Sequence, residues 1–148
     1  MNSLVGFREN RMFLTVLMAW FLAQTIKVAI GVVREKRFNF KWFVGSGGMP
    51  SSHAATVAAL AASVGFTFGF GSPFFAMAFF LAFIIMFDAQ GVRRQSGQQA
   101  EALNKIIEDI YLNKGVNQER LMELLGHTPV QVFIGAALGV LVAAFSYR

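Results

Sequence analysis

The sequence contains no cysteine, only three prolines, and few charged residues for a length of 148. Without cysteine, the chain can form neither disulfides nor thiolate metal sites, so its redox compartment stays undetermined. Charged residues make up 14% of the sequence, whereas hydrophobic residues make up 55%. This balance suits lipid better than water and argues against an ordinary soluble domain.

Four long apolar blocks account for most of the hydrophobic residues. They lie at residues 12–33, 53–70, 74–92 and 129–147. A helix needs about 20 apolar residues to cross a hydrocarbon core of about 30 Å. We therefore predict an all-α integral membrane protein with about four transmembrane helices in one membrane-embedded domain, residues 1–148. No small-residue cleavage site follows the first block, so we expect the first helix to stay attached.

The stretch between the third and fourth blocks is polar but periodic. Apolar residues recur there at helical spacing, at Ala100, Leu103, Ile106, Ile107 and Ile110. This pattern predicts an amphipathic helix that lies along the membrane interface. A second short helix is predicted at about 117–125, where Asn117 can cap its start and Gly126 can end it.

Basic residues are distributed unevenly between the two sides of the predicted bundle. The loops at 34–52 and 93–128 carry nine lysines and arginines, against three on the side of the termini. Both loops are therefore predicted to be cytoplasmic, in a bacterial plasma membrane or an organelle membrane. The net charge of +5 arises beside apolar blocks, which favours the bilayer and phosphorylated ligands as partners over nucleic acid. Whether the protein forms a homo-oligomer stays open.

The densest polar motif is a glycine-rich loop, residues 45–50, that turns directly into a helix at Ser51, Ser52 and His53. Such a junction binds anions, because backbone N–H groups and the positive end of the helix dipole point at the ligand. The alternative is that a serine is only an N-cap. His53 lies in the first turn of this helix. Because an unperturbed imidazole has a pKa of about 6.5, such a side chain can protonate a leaving alkoxide.

Cations flank this loop. Lys27 lies inside the first span, where an ammonium is costly unless it snorkels or meets an anion. Arg34 follows seven residues later on the same helix face, so both can hold one phosphate. The adjacent Arg93 and Arg94 can fork a phosphate, although arginines at a cytoplasmic helix end are also ordinary topology markers.

Two further polar groups lie near the same membrane face. Asp88 lies near the far end of the third span, where a carboxylate needs a partner or water. Thr128, Pro129 and Gln131 are typical of an N-cap, a first helical residue and a capping-box partner, whereas His127 has no such role. Two histidines, several cations and a serine-rich helix terminus suit phosphoryl transfer through a phosphohistidine.

These residues resemble the type 2 phosphatidic acid phosphatase superfamily, which is related to vanadium haloperoxidases, and specifically its short divergent membrane branch. The superfamily pattern is Lys, six residues, Arg-Pro; then Pro-Ser-Gly-His; then Ser-Arg, five residues, His, three residues, Asp. Lys27 and Arg34 keep the first spacing with Glu35 in place of proline. Residues 50–53 match the second motif with Ser52 in place of glycine.

The third motif is altered most. Arg93 or Arg94 stands for its arginine, about thirty residues precede His127, and Gln131 stands where aspartate is expected. A neutral glutamine can offer the histidine only a hydrogen bond. We therefore also consider Asp88 as the group that supplies the missing charge.

The resemblance implies a metal-independent phosphatase without a cofactor, in which His127 attacks phosphorus and His53 protonates the leaving oxygen. It also implies a set of residues that bind the phosphoryl oxygens: Lys27, Arg34, Ser51, Ser52, and Arg93 or Arg94. The expected substrate is a lipid phosphate monoester or diphosphate, such as a phosphatidyl or polyprenyl phosphate, approached from the cytoplasmic leaflet.

Two other functions fit the same residues. A membrane protein that has lost turnover can use the cations to bind anionic headgroups or phosphate. A small transporter or assembly subunit would explain Lys27 and Asp88 as a buried ion pair along a permeation path.

Overall fold

A computed structural model describes residues 9–36, 48–111 and 127–148. Within them the chain forms five helices: α1 (Arg11–Glu35), α2 (Ser52–Phe68), α3 (Pro73–Gln90), α4 (Val92–Tyr111) and α5 (Pro129–Ser146). These described residues contain no strand. The prediction of an all-helical chain is therefore confirmed for this part of the molecule.

Polar side chains fix where the helices begin. Four of them start after a residue whose side-chain oxygen accepts a backbone N–H of the first turn: Asn10, Ser51, Ser72 and Thr128. Pro73 and Pro129 open α3 and α5, where the missing N–H costs nothing. The capping box predicted for Thr128 and Gln131 is present, so this local prediction is confirmed.

In the described part of the chain three helices are long and apolar enough to cross a membrane: α1, α3 and α5. Their bounds agree with the first, third and fourth predicted spans to within two residues at each end. The helix at the second predicted span, α2, is also apolar but has 17 residues. It ends before Gly69, whose φ of +87° is left-handed. That α2 crosses the bilayer stays a prediction.

Helix α2 lies at the centre of the bundle and packs against α1, α3 and α5. Small residues permit this packing. A Cβ atom on Gly135 of α5 would overlap the carbonyl oxygen of Ser51, the cap of α2, and one on Gly139 would overlap that of Ala55 within α2. Large apolar side chains instead cover the outside of the bundle, among them Phe80 and Phe133, as expected for surfaces that face lipid.

Contacts at the two ends show that the packed helices alternate in direction. At one end Arg11 of α1 donates to the Ser146 carbonyl of α5, and its guanidinium lies 4.8 Å from the Tyr147 ring centroid. There too the Thr67 hydroxyl at the end of α2 lies 3.0 Å from the Tyr147 hydroxyl. We call the opposite end of the bundle the site end. The end of α1, the start of α2, the end of α3 and the start of α5 lie there.

Helix α4 starts directly after Gly91 and packs against α3. It carries the amphipathic pattern predicted from the sequence, and Leu103 and Ile106 are 48% and 53% exposed. Lys105 pairs with Glu101 at 3.0 Å one turn away. The helix is confirmed, and its position along the membrane interface stays a prediction. The second predicted helix, 117–125, falls outside the described residues.

Candidate functional site

Two histidines that are far apart in the sequence meet at the site end. His53 occupies the first turn of α2, and His127 directly precedes the Thr128 cap of α5. Their ring centroids lie 5.9 Å apart, with the ring planes inclined by 58°. His127 is 4% exposed and His53 is half-buried. The two imidazoles therefore share one partly enclosed space.

Backbone and side-chain contacts hold His127 in place. Its N–H donates to the Ala89 carbonyl at the end of α3, at 3.2 Å. Its Nδ1 atom lies 3.3 Å from Oε1 of Gln131. Because that oxygen also accepts the Thr128 N–H at 3.0 Å, the amide is oriented as an acceptor. Nδ1 of a neutral His127 therefore carries the proton, which leaves the lone pair on Nε2.

A backbone hydrogen bond joins the starts of α2 and α5 at the site. The Ser51 N–H donates to the Gln131 carbonyl of α5 at 3.1 Å. The partial positive charges of the two helix N-termini, α2 and α5, therefore lie at the same end of the bundle, which favours an anion there. This bond also fixes Gln131 relative to the loop that carries Ser51.

Serine hydroxyls at the start of α2 are enclosed. Ser51 is fully buried, and its Oγ accepts the Ala54 N–H at 3.3 Å. The interpretation of Ser51 as an N-cap is confirmed, and a role in binding phosphate stays a prediction. Ser52 is also buried and begins the helix.

Lys27 lies inside the bundle, at 7% exposure, and does not extend along the lipid-facing surface. The glycine-rich loop reaches its aliphatic stem: a Cβ atom on Gly48 would lie 3.1 Å from Cγ and 3.2 Å from Cδ of Lys27. Gly48 has a φ of +85°, a conformation that favours glycine. Gly48, in the described part of the loop, therefore lies close to Lys27 of the first span.

The remaining predicted residues are less enclosed. Arg34 and Asp88 are both exposed, at the ends of α1 and α3. Arg93 and Arg94 belong to the first turn of α4, and their side chains fall outside the described part of the structure. The roles of these four residues stay predictions.

Several positioning contacts could not be expected from the motifs alone. Neither the Ala89 carbonyl, which accepts the His127 N–H, nor Gly48, which lies beside the Lys27 stem, carries a sequence signal of its own. The close approach of α5 to α2 does have one, because Gly135 and Gly139 show the small-xxx-small spacing of packed membrane helices.

The chain is similar to a known protein family and to a protein of Bacillus subtilis. The model of a family described as "Divergent PAP2 family" matches residues 8–142. A Bacillus subtilis (strain 168) protein called "Uncharacterized membrane protein YuiD" is 40% identical over 145 residues, which cover 89% of this chain and 90% of that protein. No solved structure shows significant similarity to the chain.

Proposed function

Because the chain belongs to the divergent PAP2 family, as its motifs predicted, we propose that it is a membrane lipid phosphatase. The reaction is hydrolysis of a lipid phosphate monoester or diphosphate through a phosphohistidine, without a metal. The observation that carries the proposal is the His53–His127 pair, with ring centroids 5.9 Å apart. Reacting atoms approach to about 3 to 3.5 Å, so two rings at this spacing can touch one phosphoryl group from different sides.

In the first step Nε2 of His127 attacks phosphorus and the bond from phosphorus to the lipid oxygen breaks. His53 gives its proton to the leaving oxygen, so a monoester releases an alcohol and a diphosphate releases the lipid monophosphate. The hydrogen bond from Nδ1 of His127 to Gln131 supports this assignment, because it directs the lone pair of His127 to Nε2.

In the second step water attacks the phosphohistidine, the bond from phosphorus to nitrogen breaks, and inorganic phosphate leaves. His53, now neutral, takes a proton from the water and so returns to its starting state. The cationic side chains neutralise the phosphoryl oxygens: Lys27, Arg34, and Arg93 or Arg94. The hydroxyls of Ser51 and Ser52 donate hydrogen bonds to the same oxygens. The two helix N-termini add positive potential that needs no reorganisation during the reaction.

Gln131 supplies orientation without charge. An aspartate at this position would also stabilise the imidazolium, whereas the neutral amide only fixes the tautomer. We assign the orienting role to Gln131 because it directly contacts His127, whereas Asp88 is exposed. The site is assigned to the cytoplasmic face on the charge asymmetry of the loops.

The neutral Gln131, where the motif has aspartate, also favours a second candidate function: a protein that binds lipid phosphate without turnover. One experiment separates the two functions. Purified protein in detergent, treated with a chelator, is given a panel of lipid phosphates while inorganic phosphate is measured. We expect release by the wild type, inhibition by vanadate, and loss of release in His127→Ala. Retained lipid phosphate binding, with no release from any substrate, would favour the binding protein.

A further inference from the structure

One face of α2 is less buried than the rest of the helix. Most residues from Ser52 to Gly65 are buried, and those that are half-buried are His53, Thr56, Val57 and Leu60. Their spacing of three, four and seven residues places them on a single helix face. We call this face the α2 stripe. It begins at the proposed catalytic His53 and runs along the helix for about 10 Å.

The stripe faces away from α5. The glycines of α5 approach Ala54, Ala55 and Ala59, which lie on the opposite side of α2 by helical periodicity. Helices α1 and α3 both pack against α2, but in the described part of the chain no Cα atom of α1 lies within 8 Å of a Cα atom of α3. Because α5 covers the other side of α2, we infer that the stripe forms the floor of a groove between α1 and α3.

The floor of the groove is apolar beyond its first residue. Val57 and Leu60 are hydrocarbon, and the Thr56 hydroxyl donates to the Ser52 carbonyl at 2.7 Å, which satisfies it within the helix. His53 alone contributes an imidazole, at the site end. The groove thus joins a polar head to an apolar floor, within a bundle whose helices α1, α3 and α5 can cross a membrane.

We propose that this groove holds a hydrocarbon chain of the lipid phosphate, which leaves the phosphoryl group at His53 and runs along α2 between α1 and α3. The inference rests on the proposed phosphatase function. A second copy of the protein is a poorer occupant, because stable interfaces use about 20 to 30 residues a side and the floor offers four. The bilayer is as apolar as the groove, so the hydrophobic effect does not favour either place for the hydrocarbon chain. Packing against the groove holds the hydrocarbon chain, and this orients the phosphoryl group.

Two bulky substitutions in the floor test the proposal: Val57→Trp and Leu60→Trp. The matched control is Val140→Trp, because Val140 is 46% exposed and belongs to α5, which packs on the side of α2 opposite the stripe. Each protein is assayed in detergent with dioleoyl phosphatidic acid and with para-nitrophenyl phosphate, which has no chain. We expect kcat/KM for the lipid to fall by about tenfold or more in both floor variants, while the aryl phosphate and the control change by less than about twofold.

Preserved aryl phosphate turnover shows that a floor variant is folded. Unchanged lipid turnover in both floor variants would overturn the proposal. So would an equal loss on both substrates together with a change of oligomeric state by size-exclusion chromatography, since that result would place a second copy in the groove.

A binding experiment keeps the groove testable if the wild type releases no phosphate. A phosphatidic acid with a photoreactive diazirine on its acyl chain is irradiated with the protein, and labelled peptides are identified by mass spectrometry. Label on the α2 stripe that is lost in Leu60→Trp supports the groove even if the phosphatase proposal fails. Label that is confined to other helices, or unchanged in the variant, contradicts it.

Discussion

Oε1 of Gln131 lies 3.3 Å from Nδ1 of His127 and also accepts the Thr128 N–H. One amide oxygen thus caps α5 and orients the proposed nucleophile. Gln131 lies three residues beyond the cap Thr128. Its side chain therefore completes the capping box and also reaches back to His127, which precedes the cap. Helix capping and catalysis are therefore predicted to share a residue.

Replacement of Gln131 should reduce turnover more than it reduces stability. Gln131→Met keeps the length of the side chain but removes the acceptor for His127, so we expect kcat to fall by at least about tenfold. The lost capping interaction should cost about 1 kcal/mol of folding free energy. Phosphate release and thermal unfolding in detergent measure the two effects.

Thr128→Ala is the matched control for this prediction, because it removes the capping hydroxyl but leaves Gln131 beside His127. It should lose similar stability and little turnover. Asp88→Asn provides a second comparison, since Asp88 is exposed. A larger loss of kcat in Asp88→Asn than in Gln131→Met would assign the orienting role to Asp88.

Gly48→Ala should weaken substrate binding. The added Cβ would lie 3.1 Å from Cγ of Lys27, closer than ordinary contact, so the lysine stem must shift. We expect KM for the lipid phosphate and the inhibition constant of vanadate both to rise. Gly69→Ala is the control, because its φ of +87° imposes the same backbone strain while its Cβ meets nothing within 4 Å. Equal effects of the two variants would show that strain alone is responsible.

Gly135→Ala and Gly139→Ala should destabilise the bundle. Each methyl group would overlap a carbonyl oxygen of α2, so α2 and α5 must separate. Overpacking of this kind costs about 1 to 3 kcal/mol, which thermal unfolding in detergent detects as a lower Tm. Gly71→Ala, whose Cβ meets nothing within 4 Å, should unfold like the wild type. An unchanged Tm in both α5 variants would contradict the close helix contact.

Cysteine labelling tests whether α2 crosses the membrane. The chain has no natural cysteine, so a single introduced cysteine reports on one position. Met49→Cys and Gly71→Cys lie beyond opposite ends of α2 and are exposed. In intact cells an impermeant maleimide should label only Gly71→Cys, and lysis should expose Met49→Cys. Labelling of both from outside would mean that α2 does not span the bilayer.

The sequence predicted most of the helices, because their signals are local. Apolar blocks place α1, α3 and α5, and the Thr128, Pro129 and Gln131 pattern marks the start of α5 to the residue. The family motifs selected His53 by type and spacing and His127 by type, and the family match confirms the resemblance. These features depend on neighbours in the chain, so no knowledge of packing is needed to find them.

Tertiary packing alone decided which of these groups meet. The 5.9 Å between the rings of His53 and His127, and the position of Gly48 beside the Lys27 stem, depend on how α2 packs against α1 and α5. Burial likewise separates the enclosed Lys27 from the exposed Arg34, although the two share a helix face. Such contacts arise between residues that are distant in sequence, and small residues such as Gly135 set them by letting helix backbones approach.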